Sequence, residues 1–227
     1  MLPSPSIVRV LALSVAAVFL FPPGQAQAFD AEGVDQDAIQ RLTGGSPLVV
    51  VEEHEGGGLK LVTGGVLVEA PREYVWDVIT DYSKYPEWMP EVEEVTVVRE
   101  DGNTKDIKYE LLFKIAIITR RVKYTLRKFS KKPSRIEWEL VEGDFDYAVG
   151  GWQLVPTRGG EATMAYYSTY TNLRSMGALV GGLLKNEPAL EMAIQVSTAV
   201  TVVQSLRDRV VALSTGKAAE ASAPKNK

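Results

Sequence analysis

The sequence predicts an α+β fold in which a curved antiparallel sheet closes around one long C-terminal helix. Three observations carry this prediction. Between Val92 and Thr171, apolar residues recur with period two in strand-length runs separated by turn residues. From about Glu187 to Leu213, residues Met192, Val196, Val200, Val203, Leu206 and Val210 recur three or four apart, which places them on one helical face. Ahead of the strands, a proline-bracketed stretch from Pro71 to Pro90 reads as two short helices rather than strand.

Taken in order, Phe29 to Pro47 is polar and reads as a leader segment that packs on the domain or stays mobile, with a short helix from Asp35 to Leu42. Leu48–Glu53 and Leu59–Glu69 read as a hairpin across Gly56-Gly57-Gly58, with a bend or bulge at Gly64-Gly65. Pro71 suits a first helical turn, and Val75, Val78, Ile79 and Tyr82 give the helix one buried face. Trp88 and Met89, after the second short helix, read as a plug at one end of the sheet. Val92–Arg99 begins the sheet proper, and Asp101-Gly102-Asn103 turns it. Ile107, Tyr109, Leu111 and Phe113 then share a face, as do Val122, Tyr124 and Leu126, and then Ile136, Trp138 and Leu140. Phe145–Pro156 follows, with Trp152 and Leu154 on one side and a bulge expected at Gly150-Gly151. Ala162–Thr171 puts Met164, Tyr166, Ser168 and Tyr170 on one face. Leu173–Lys185 reads as a glycine-rich apolar loop, and Asn186 as the cap of the final helix, with Pro188 in its first turn. The tail from residue 214 reads as disordered, so the domain spans 48–213.

Composition narrows the function. Hydrophobic residues make up 45% of the 227 and charged residues 24%, ordinary for a globular domain with a real core. The absence of cysteine excludes disulfides and thiolate chemistry, and a lone His54 excludes a metal site built on several imidazoles. A net charge of −4 argues against a nucleic-acid binder. No cofactor is expected. The first 28 residues read as a signal peptide: Arg9, an apolar run from Val10 to Phe21, the breaker Pro22-Pro23-Gly24, and a small-residue cleavage pattern at Ala26-Gln27-Ala28. The run is short for a membrane span, which favours export to a periplasm over an uncleaved anchor.

The stretch that begins Ala70-Pro71, passes through Val75-Trp76, Val78 and Asp81, and ends Tyr85-Pro86-Glu87-Trp88-Met89-Pro90 resembles the START-like (SRPBCC) superfamily. It is most similar to the polyketide cyclase/dehydrase and coenzyme Q-binding branch. Glu142-Gly143-Asp144-Phe145 and Gly151-Trp152-Gln153-Leu154-Val155-Pro156 are similar to that family's later strands. The resemblance covers about residues 58–213. It implies a helix-grip (START/Bet v 1-like) fold whose sheet and helix enclose an apolar cavity, and it says little about chemistry, because such folds reuse one cavity for many ligands.

Within that frame Tyr109, Phe113, Tyr124, Trp138, Trp152, Tyr166 and Tyr170 face inward, with Met192, Val196 and Val200 opposite them on the helix. Singly each reads as core. Together, several tyrosines on one face suggest a cavity with a few placed polar groups. In the loop, Leu173, Met176, Leu179, Val180, Leu183 and Leu184 read as a cap or as a gate that also touches lipid, with Arg174 and Lys185 at the headgroups. Ile115, Ile117 and Ile118 lie near a hairpin tip rimmed by Lys114, Arg120 and Arg121, and read as strand facing the helix or as an exposed contact surface. Asp77, Asp81, Asp144, Asp146 and Glu161 read as solvated charge. The favoured function is an exported, non-enzymatic carrier of a hydrophobic ligand: a lipid, quinone or polyketide-like molecule. The alternatives are an aromatase or cyclase using the same cavity, and an interaction domain with a filled core.

Overall fold

The computed structural model of the protein describes residues 29–55, 58–115 and 118–222. Residues 1–28, expected to form a signal peptide, Ile117, the side chain of Ile115 and the last five residues of the tail lie outside the described residues. Eight antiparallel strands form one sheet: β1 (Leu48–Glu53), β2 (Leu59–Val68), β3 (Val92–Asp101), β4 (Thr104–Ile115), β5 (Ile118–Lys131), β6 (Arg135–Gly143), β7 (Ala148–Thr157) and β8 (Ala162–Thr171). Their order is β1-β2-β8-β7-β6-β5-β4-β3, so every neighbour is a hairpin except the β2–β8 pair. Two short helices, α2 (Arg72–Thr80) and α3 (Tyr85–Trp88), link β2 to β3. The last helix, here α5, runs Pro188–Ser222 and packs most closely on β2 and β8. This is the helix-grip arrangement expected from the sequence.

The packing explains where the sheet and α5 part company. At one end of the groove, Val75, Ile79, Tyr82 and Tyr85 pack with Val202, Val203, Leu206 and Val210 of α5 in the main core. At the other end, α4 (Ala178–Asn186) and the short 3-10 turn before it bury Leu173, Met176, Val180 and Leu184 against Val122 and Phe145. The stretch expected as a loop is therefore mostly helical. Only Gly177 takes a left-handed backbone there, with φ 97°. Asn186 closes α4 instead of capping α5, and α5 extends well past Leu213 into the segment expected to be disordered.

Neither glycine pair forms a bulge. β2 and β8 pair in unbroken register through Gly64 and Gly65, and β7 pairs with both neighbours through Gly150 and Gly151. These glycines serve close approach instead. A Cβ on Gly64 would lie 2.6 Å from the Ala199 carbonyl oxygen, and one on Gly150 would meet the Trp138 indole at 2.6 Å.

The leader packs on the domain. Helix α1 (Gln36–Thr43) is capped by the Asp35 carboxylate, which accepts from the Ala38 amide at 3.0 Å. Phe29 and Ala31 lie over the outer face of β7 and β8. Their amides donate to Ser168 Oγ at 3.1 Å and Gln153 Oε1 at 2.7 Å.

Candidate functional site

A cavity of about 190 Å³ lies between α5 and the inner face of β4 to β8. That is far more than one water needs, and apolar cavities of about 150 Å³ accept a molecule the size of benzene. Members of both buried clusters line it, so it occupies the gap between them. The strands contribute alternate residues: Tyr109, Leu111 and Phe113 from β4; Tyr124, Leu126 and Lys128 from β5; Trp138 from β6; Ala148 and Trp152 from β7. Five of the aromatics expected inside, Tyr109, Phe113, Tyr124, Trp138 and Trp152, therefore meet around one space. Tyr109 and Tyr124 stand opposite each other on β4 and β5 and stack with centroids 5.4 Å apart.

Tyr166 and Tyr170 are outside it. On β8 the lining residues are Tyr167, Thr169 and Thr171, one position out of phase with the expectation. The cause is that both faces of β8 are covered. Tyr166 points outward beneath the leader, where its hydroxyl donates to Gln36 Oε1 at 2.5 Å and its ring lies 5.4 Å from Phe29. Tyr170 shares that outer face and lies near Tyr147, with centroids 6.0 Å apart.

The first half of α5 is rotated from the expected face as well. Met192, Val196 and Val200 are half-buried and do not line the cavity; Ile194, Gln195, Thr198 and Val202 do. Polar anchors set this phase. Gln195 donates from Nε2 to the Thr171 carbonyl at 2.5 Å, and buried Glu191 accepts from Arg174 at 2.7 Å. Arg174 is thus tied to α5 by an ion pair, with its side chain still partly exposed.

Of the six residues expected to gate the cavity, only Leu173 lines it. Met176, Val180 and Leu184 are buried in the second cluster, Leu183 is half-buried against it, and Leu179 is 73% exposed. The guanidinium of Arg120 holds this flap to β5 by donating to the Met176 carbonyl. The lining residues that reach solvent are Glu91, Ser197 and Thr201, so the rim lies between the α3–β3 link and the middle of α5. Glu91 adopts φ 63° at this rim, a strained backbone for a residue with a Cβ, and desolvation raises its carboxyl above the ordinary value. Met89 also lines the cavity, while Trp88 packs against the main core.

The residue that sequence reasoning missed is Lys128. It is 3% exposed and shares the inward phase of Tyr124 and Leu126 on β5. Its Nζ sits 4.7 Å from the Tyr82 ring centroid, 5.0 Å from Trp138, 5.4 Å from Tyr109 and 5.6 Å from Tyr85. Burial pushes its amine down to about 7. Burial likewise holds the Tyr85, Tyr109 and Tyr124 phenols above their ordinary range, so the surrounding rings stay neutral. Counting positions by twos from Val122 would have placed Lys128 inside.

A cavity walled by aromatic rings, gripped between a bent sheet and a C-terminal helix, defines a class of small-molecule-binding folds. The chain belongs to the polyketide cyclase/dehydrase and lipid transport family, whose model matches residues 68–207. Solved structures share the fold. One is a protein of Thermus thermophilus, 24% identical, covering 68% of this chain and 99% of that one, with a TM-score of 0.56. A second is the Zhui aromatase/cyclase from a Streptomyces species, 22% identical, covering 66% and 93%, with a TM-score of 0.54. A third is a STAR-related lipid transfer protein from Xanthomonas axonopodis, 19% identical, covering 82% and 98%, with a TM-score of 0.52. A comparison with curated proteins found no match.

Proposed function

We propose that this chain is an exported carrier that sequesters a hydrophobic ligand of the lipid, quinone or polyketide-like class in the cavity between α5 and the sheet. The observation that carries the reading is the unfilled, aromatic-walled space itself, which five inward aromatics surround without closing. A ligand burying on the order of 200 Å² of apolar surface would gain about 5 kcal/mol before the entropic costs of binding. Ligand enters past Glu91, Ser197 and Thr201, and exposed Leu179 on α4 offers a small apolar contact for a membrane surface. Export rests on the signal-like first 28 residues alone.

The test is mass spectrometry of organic extracts from the purified protein, paired with thermal shifts across a panel of lipids and quinones. A co-purified apolar molecule, or a melting temperature that rises with ligand concentration, supports the carrier. Clean extracts together with no shift across the panel overturn it.

A further inference from the structure

We propose that the cavity's ligand is a monoanion, a carboxylic acid with an apolar body, and that Lys128 and the Tyr109 hydroxyl form its head-group site. This rests on the carrier reading and names the chemistry of that ligand. Lys128 Nζ makes no hydrogen bond and no ion pair among the described residues; four aromatic faces surround it there. Those faces attract a cation, yet they leave three N–H donors without an acceptor. The Tyr109 hydroxyl, on the same wall, is buried and also has no partner among the described residues. The neighbouring Tyr85 hydroxyl is already committed, donating to the Ile79 carbonyl at 2.6 Å.

Two unsatisfied donors on one buried aromatic wall call for one acceptor group. A buried cation also calls for a counter-charge, and the only other ionisable acid or base lining the cavity among the described residues, tyrosines aside, is Glu91 at the exposed rim. One ammonium and one hydroxyl match the two oxygens of one carboxylate. A phosphate dianion would leave net charge stranded among the rings. The apolar body is left for Leu111, Leu126, Trp152 and Tyr167.

The experiment compares decanoate with decan-1-ol, a pair equal in chain length and different in head group. Binding at pH 6.5 is read from the fluorescence of Trp138 and Trp152, which line the cavity. In the natural protein decanoate binds at least tenfold more tightly than decan-1-ol. Lys128→Met, which replaces a buried cation with an apolar chain of similar length, abolishes that preference and leaves decan-1-ol within threefold of its original affinity. Tyr109→Phe keeps the ring and weakens decanoate alone, by about threefold to tenfold. Equal binding of acid and alcohol by the natural protein overturns the head-group site while the carrier stands. So does an acid preference that survives Lys128→Met. Failure of both probes to bind overturns the head-group site, while the carrier stands or falls separately on the extracts and the lipid panel.

Discussion

A methyl group on Gly64 would fall 2.6 Å from the carbonyl oxygen of Ala199 and 2.9 Å from its carbonyl carbon. Both are backbone atoms, so no side-chain rotation relieves the clash, and either α5 or β2 must move. Gly64→Ala is therefore expected to destabilise the protein by about 1–3 kcal/mol, as overpacking does. The drop would appear as a lower urea midpoint at unchanged slope. An unchanged midpoint would mean that α5 is not seated on β2 as described. Residues of this kind explain what could be read ahead of the structure and what could not. Tyr109, Tyr124 and Trp138 alternate with charged or small polar neighbours, and Phe113 and Trp152 keep the phase of the other apolar residues on their strands, so the pleat fixes their side. Tyr166 and Tyr167 are adjacent and both covered, one by the leader and one by the cavity wall, so the pattern on β8 carries no phase. Lys128 was hidden by its charge, which marks a residue as solvated in a simple alternation.

At the scale of elements, α4 is a separate packing unit. Together with the 3-10 turn before it, it buries Met176, Val180 and Leu184 in a cluster distinct from the main core, and the polar ties of this segment include the Arg120 contact to the Met176 carbonyl, the Asp146 amide donating to Ser175 Oγ at 3.2 Å and the Arg174–Glu191 pair at 2.7 Å. Leu184→Ala removes a fully buried side chain from that cluster, a change that costs about 2–5 kcal/mol in a well-packed core. Small units of this sort open ahead of the whole domain. Hydrogen exchange in 173–186 is thus expected to quicken markedly while β5 to β8 keep their protection. Uniform acceleration across the sheet would show that α4 and the main core unfold as one. The helical state of this segment was illegible because its glycines and the missing cap argue for a loop; tertiary burial of one apolar face overrode both. The strand order and the two short helices were legible because proline punctuation and strict alternation there agree with the final packing.

At the scale of the molecule, the buried aromatic wall and its single amine give stability a distinctive response to pH. Lys128 titrates near 7 in the folded protein and near 10.4 when unfolded, so between these values the unfolded chain binds the extra proton. Stability without ligand should then rise as pH increases above about 7, by as much as roughly 1.4 kcal/mol per unit. The tyrosines act in the opposite sense. Burial raises Tyr85, Tyr109 and Tyr124 well above their ordinary value and lifts Tyr166 and Tyr167 to about 12. Their protonated forms favour the fold below about pH 10, and that contribution is lost as unfolded tyrosines ionise above it. Urea denaturation from pH 6 to 11 should therefore show a maximum near pH 9 to 10. Lys128→Met should be more stable than the natural protein at pH 6, flat from 7 to 9, and equally weakened above 10. The two limbs separate the amine from the phenols: a rise that persists in the variant would place its cause in some other group, because the ring faces around Lys128 among the described residues belong to Tyr82, Tyr85, Tyr109 and Trp138, none of which ionises in that range.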